Sequence, residues 1–205
     1  ATVTAREALV GLRSRGLVSS MRGRDGGTFV TLPRGNRHQL VRDRLGGMSR
    51  VELRVLAIHY GAIASSADEL AADFADQDDI AALRRLLADP PGAAPAPAGQ
   101  APGRVVGDFL LELAALSQSA RLAREYVRLH TDFGSLLALA HADPEFDAPM
   151  RRLCADIAEA VGNGEPDAAR HLVNRYVRAG LSRLITEHSR LTAAPAPSPT
   201  SGRTT

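Results

Sequence analysis

The chain has no lysine, no tryptophan, a single cysteine (Cys154) and only 4% aromatic residues. Each scarcity narrows the reading. One thiol cannot close an internal disulfide, which is compatible with a reducing compartment. No apolar run approaches the roughly 18–20 residues needed to span a membrane. The N-terminus is basic and amphipathic rather than signal-like, so a soluble, cytoplasmic protein with no membrane partner is expected. No nucleophile elbow, phosphate loop or paired-acid motif is present, which argues against an enzyme. The histidines His38, His59, His130, His141, His171 and His188 form no H-x-x-x-H or H-E-x-x-H pair. Isolated on helices, such residues read first as packed or surface side chains. All 25 basic residues are arginine, a usage that, with the abundance of alanine, points to GC-rich coding.

Charge is unevenly spread. Residues 1–50 hold ten arginines against Glu7, Asp25 and Asp43, a net of +7, while the remaining 155 residues are net −5. A basic segment joined to an acidic one suggests a nucleic-acid face attached to a module with another task. From Thr4 to Arg15, Ala5, Ala8, Leu9 and Leu12 recur at helical spacing, and Gly16 closes the helix. Leu17 to Met21 and Thr28 to Val30 are strand candidates around R-G-R-D-G-G. Glycines in that loop permit positive φ, and its arginines can reach phosphate or a minor groove.

The stretch T-A-R-E-A-L-V-G-L-R-S-R-G-L-V, followed by the basic Gly-rich loop and F-V, resembles the DNA-binding domain of the GntR family. The resemblance implies a recognition helix and a β-hairpin wing. The family places two further helices ahead of that recognition helix, so a partial winged helix-turn-helix is expected over residues 1–32. It also implies contact with double-stranded operator DNA through Thr2, Thr4 and Arg6 at the helix start and through Arg22, Arg24 and Gly26 in the wing. Residues at the start of a recognition helix enter the major groove while hydroxyls and N–H groups hold phosphate. For Arg6 the plainer alternative is a solvent-facing pair with Glu7 or a neighbour.

After Pro33-Arg34-Gly35-Asn36, helical periodicity dominates. Helices are predicted at about 37–45, 49–73, 77–88, 103–118, 120–141, 146–162 and 166–189, with no strand after Val30. Asp76-Gln77-Asp78-Asp79 reads as a helix N-terminus, where acids suit the dipole. The Pro-rich stretch between the third and fourth of these helices reads as solvated, and residues 191–205 as a disordered tail. The fold class is therefore mainly α: a partial winged domain, a linker and connecting helix over 33–48, and an antiparallel helical bundle over 49–190.

The segments D-F-L-L-E-L-A-A-L-S-Q-S-A-R-L and I-A-E-A-V-G-N-G-E-P-D-A-A-R, in this order, are similar to the FCD domain of the FadR subgroup within the GntR family. That resemblance implies a homodimer and an effector bound inside the bundle. Many FCD domains hold a divalent metal with one Asp and three His. Here the matching positions are Val106, Leu110, Cys154 and Tyr176, which offer no hard-cation cage and too few ligands for tetrahedral zinc, so neither metal nor cofactor is expected. Two readings of this patch stay open. One is a filled core, for which Val, Leu and buried Cys are ordinary residues. The other is an apolar pocket for a small effector, apolar or acyl, oriented by Tyr176 with Tyr60, Tyr126 or His130. The expected function is a ligand-responsive transcriptional regulator, a repressor by preference. The alternative is a degenerate dimerisation or interaction module that binds neither effector nor DNA.

Overall fold

A computed structural model of the chain describes residues 18–21, 27–30, 37–88 and 103–193. It divides into two compact units, Ala1–Asp43 and Arg44–Thr205. In the first, β1 (Val18–Met21) and β2 (Gly27–Val30) pair antiparallel, with Val18 opposite Val30 and Met21 opposite Gly27. Val, Thr and Phe suit a pleated surface. The expected helix Thr4–Arg15, the loop 22–26 and all six candidate DNA contacts, Thr2, Thr4, Arg6, Arg22, Arg24 and Gly26, lie outside the described residues.

α1 (Arg37–Gly47) crosses the boundary between the units. Seven further helices follow among the described residues: α2 (Arg50–Phe74), α3 (Gln77–Leu87), α4 (Arg104–Leu116), α5 (Ala120–Leu129), α6 (Ser135–His141), α7 (Pro144–Gly162) and α8 (Pro166–Ala193). Their starts are written in the sequence. Ser49 Oγ accepts from the Glu52 N–H at 3.1 Å while Glu52 accepts from the Ser49 N–H at 2.7 Å, a reciprocal cap. Asp76 and Asp79 cap α3 in the same way. Between α7 and α8, Gly164 adopts φ +66°, and the Glu165 N–H reaches back to the Ala160 carbonyl at 2.9 Å. A left-handed residue is what this turn requires, and glycine takes it without a Cβ clash.

α2 is the central element, lying along α8 and also meeting α4, α5 and α7. The two long helices run antiparallel: the His188 ring bonds the Met48 carbonyl at 2.8 Å, Gly61 faces Asn174 and Val177, and Gly164 lies by the Ala72 carbonyl. The buried face of α2 explains the close approach, since Ala57, Gly61, Ala64, Ala67 and Ala71 are all small. No helix of the described residues is long and apolar enough to cross a membrane.

The structure departs from the sequence expectation at three helix ends or interruptions. The predicted helix 120–141 contains a wide π turn, His130–Gly134, which separates α5 from α6. A Cβ on Gly134 would stand 2.7 Å from two His130 ring atoms, and one on Gly107 would stand 3.2 Å from a third. Glycine at both positions therefore leaves room for the imidazole, and such local widenings are frequent at functional sites. α7 begins two residues early because Asp143 caps it and Pro144 takes the first helical position. α8 runs on through Leu191–Ala193, residues expected in the tail. Nothing breaks a helix until Pro195, which disfavours helical geometry only in the residue before it.

Candidate functional site

Aromatic side chains are few, yet all three tyrosines are buried: Tyr60 in α2, Tyr126 in α5 and Tyr176 in α8. A buried phenol needs a partner for its hydroxyl. Tyr60 and Tyr126 supply each other, their hydroxyl oxygens 2.6 Å apart, and the Tyr60 hydroxyl lies 3.1 Å from His130 Nδ1. Tilted rings pack around this junction, with Tyr126 and Phe133 centroids 5.2 and 5.1 Å from Tyr60. Burial pushes the His130 pKa down to about 4, against the opposing pull of Asp108. In the Nε2–H tautomer the neutral ring accepts at Nδ1 from the Tyr60 hydroxyl, which then accepts from Tyr126.

Tyr176 belongs to a second cluster. Its hydroxyl lies 3.0 Å from His141 Nε2, and His141 Nδ1 is 2.7 Å from Asp147 Oδ1. The Arg151 Nε–H donates to the other Asp147 oxygen at 2.8 Å. An ionised Asp147 accepts Nδ1–H, leaving Nε2 to accept from Tyr176, so α6, α7 and α8 are tied by one directional chain. Burial lowers the His141 pKa, and the hydrogen bond and charge of Asp147 oppose that shift.

Cys154 and Asp68 are two further buried groups of this core. The thiol is buried, and burial pushes its pKa up, with the Asp68 charge adding to the shift. Asp68 is 1% exposed and its Oδ2 has no hydrogen-bond partner. Burial raises its carboxyl well above the usual range, and its charge is felt by Tyr60 and Tyr126 as well. Val106 and Leu110, at the remaining family metal positions, are buried on α4. Among the described residues no three His, Cys, Asp or Glu side chains gather as a metal-binding group.

Of the seven candidate effector residues, Tyr60, Tyr126 and His130 come together directly, Tyr176 joins His141 instead, and Val106, Leu110 and Cys154 fill buried core positions. Sequence reasoning passed over Asp68, Phe133, His141 and Asp147. Asp68 had a signal: an acid eight residues after Tyr60, inside the apolar stripe Ala57, Ala64, Ala67, Ala71. His141 had none, because its partners stand on other helices. The arrangement holds hydroxyls, imidazoles and one carboxyl on packed helices.

With this bundle in view, the FCD domain family matches residues 60–179, which hold both clusters. The chain belongs to the FCD-domain family. The GntR resemblance implied this bundle, and the same membership accounts for its central helix pair. Over 191 residues, this FCD-domain protein is also 31% identical to a protein of Mycobacterium gastri provisionally named as the HTH-type transcriptional regulator RmpR. The match covers 89% of this chain but 66% of that relative's length. Neither likeness is to an enzyme, in keeping with a sequence that carries no catalytic motif.

Proposed function

We propose that this FCD-domain protein is a ligand-responsive, DNA-binding transcriptional regulator of the FadR type, acting as a repressor. The observation that carries the reading is the polar centre of the bundle. Three tyrosine hydroxyls, two imidazoles and an unpaired acid occupy a core built mainly of apolar side chains. A bundle needed only for stability or dimerisation is more easily made from hydrocarbon, because incompletely satisfied buried polar groups cost free energy. Polar groups converging between helices are what an effector site requires. The ten arginines of residues 1–50 and the hairpin β1–β2 support DNA contact, with the hairpin in the role of a wing. The name of the M. gastri relative agrees with this role.

As partner, a second copy of the chain is proposed. Val51, Val55 and Ile58 are 70%, 60% and 64% exposed and share one face of α2. An apolar stripe of this kind is the usual mark of an interaction surface, and a two-fold dimer would match a palindromic operator. The test is selection of duplexes from a random pool by the full-length protein, followed by titration of the enriched sequence. Arg6→Ala should abolish specific binding and lower the salt dependence. Retained affinity with an unchanged salt slope would remove Arg6 from the interface, and failure to enrich any sequence would leave the dimerisation-module reading in its place. In a reporter assay, repression requires that expression rise when the regulator is deleted.

A further inference from the structure

Asp68 is the one carboxylate classed as buried among the described residues, and no arginine there is buried with it. The nearest approach to a buried guanidinium is at Arg183 and Arg151, and these are held by Asp143 and Asp147. Among the described residues the polar centre therefore carries an acid with no buried guanidinium beside it. Native interiors rarely leave such a group without a partner, and Asp68 Oδ2 has none. On α2 it lies two turns from Tyr60, on the same face. Tyr60 in turn packs at a tilt against the rings of Tyr126 and Phe133 and shares a hydrogen bond with Tyr126.

A carboxyl, phenolic oxygens and aromatic faces are together the donor set that recognises an ammonium group. The carboxylate supplies the countercharge, hydroxyl oxygens accept N–H, and ring faces attract the cation. A carboxylate or phosphate ligand would find the reverse: Asp68 opposite it and no buried cation to offset the desolvation of two acids. The expectation of an acyl effector is disfavoured on that ground.

We propose that Asp68, with the nearby Tyr60 and Tyr126, is a recognition site for the protonated amine of a small ligand with a hydrocarbon body. Burial shifts the unliganded Asp68 towards its protonated form. An amine entering as the free base takes the Asp68 proton, giving an ammonium and a carboxylate in contact, with no net change in charge at the site. Such a ligand would be the effector of the regulator proposed above; the assignment rests on that reading for its biological role and not for its chemistry.

The experiment titrates the full chain with n-hexylamine, n-hexanol and hexanoate, which share one hydrocarbon body, following binding by calorimetry and stability by thermal denaturation. Hexylamine should bind saturably and more tightly than either congener. Asp68→Asn should weaken it by about 30-fold or more, the scale seen when one partner of a buried charge pair is removed. Asp68→Leu should abolish it while raising the unliganded Tm, because it removes an uncompensated buried acid. The retained or raised Tm shows that loss of binding is not loss of fold. Hexanoate binding as tightly as hexylamine, no saturable binding of hexylamine, or equal hexylamine affinity in Asp68→Asn would overturn the assignment. Duplex binding measured in parallel separates the two readings. Asp68-dependent hexylamine binding that leaves DNA affinity unchanged supports the amine site and refutes its role as effector site. DNA release by hexanoate but not hexylamine refutes the amine site and leaves the regulator.

Discussion

Acidification should draw a destabilising contribution from His130 in the helical unit. The ring is largely buried, with Nδ1 3.1 Å from the Tyr60 hydroxyl, and its pKa falls from 6.5 to about 4. In the unfolded chain the same imidazole titrates at its ordinary value. On lowering the pH the unfolded state takes up the proton first, so stability is intact above about pH 6.5 and declines progressively towards pH 4. A pKa unit is worth about 1.4 kcal/mol, so the loss reaches about 2 kcal/mol at pH 5 and about 3 kcal/mol at pH 4. For a chain of this length that is a fall in Tm of roughly 4–8 °C at pH 5, at about 2–4 °C per kcal/mol. His141, whose pKa is lowered by the same cause, adds a change of the same sign. The assay is thermal denaturation by circular dichroism at about pH 7.5 and pH 5, for wild type and His130→Gln, which cannot titrate. The quantity compared is the pH-induced change within each protein, so any constant cost of the substitution cancels. Asp68, whose pKa burial raises, contributes with the opposite sign, so the His130 share is read from the difference between the two proteins, and an identical pH-induced change in the variant would refute the reasoning.

Other perturbations test the packing around the same residues. Tyr126→Phe should cost about 1–2 kcal/mol and Tyr60→Phe more, since Tyr60 has two partners; a double-mutant cycle should give a coupling of about 0.5–2 kcal/mol, and strict additivity would show the shared hydrogen bond to be inert. Gly134→Ala places a Cβ 2.7 Å from His130 ring atoms and should cost about 1–3 kcal/mol in chemical denaturation. Gly47→Ala, with nothing within 4 Å of the new Cβ, should be neutral or stabilising by up to about 1 kcal/mol. Ile58→Asp, at a position 64% exposed, should leave monomer stability within about 0.5 kcal/mol while shifting light scattering from dimer to monomer; an unchanged mass would exclude the α2 stripe as the dimer contact.

The helices were legible because their signals are local. Ser49 and Glu52, Asp76 and Asp79, and Gly164 fix helix ends within a few residues of themselves, and the Ala-rich period of α2 marked its buried face. The π turn was not legible: it depends on the imidazole of His130 fitting against Gly107, a residue of another helix. The candidate site divides along the same line. Tyr60, Tyr126 and His130 were identified as polar groups able to face inward, but their mutual bonds, the capture of Tyr176 by His141 and the isolation of Asp68 follow from how α2, α5, α6 and α8 pack.

By itself the sequence determined the helical class, the family and the charge asymmetry, since each depends on residue type and spacing along one chain. Only the tertiary structure decided which hydroxyl meets which imidazole and which acid is left without a base. Those are contacts between residues 35 to 70 positions apart at Tyr176–His141 and Tyr60–His130. No local rule specifies them, because they exist only once the helices have excluded water from a common core.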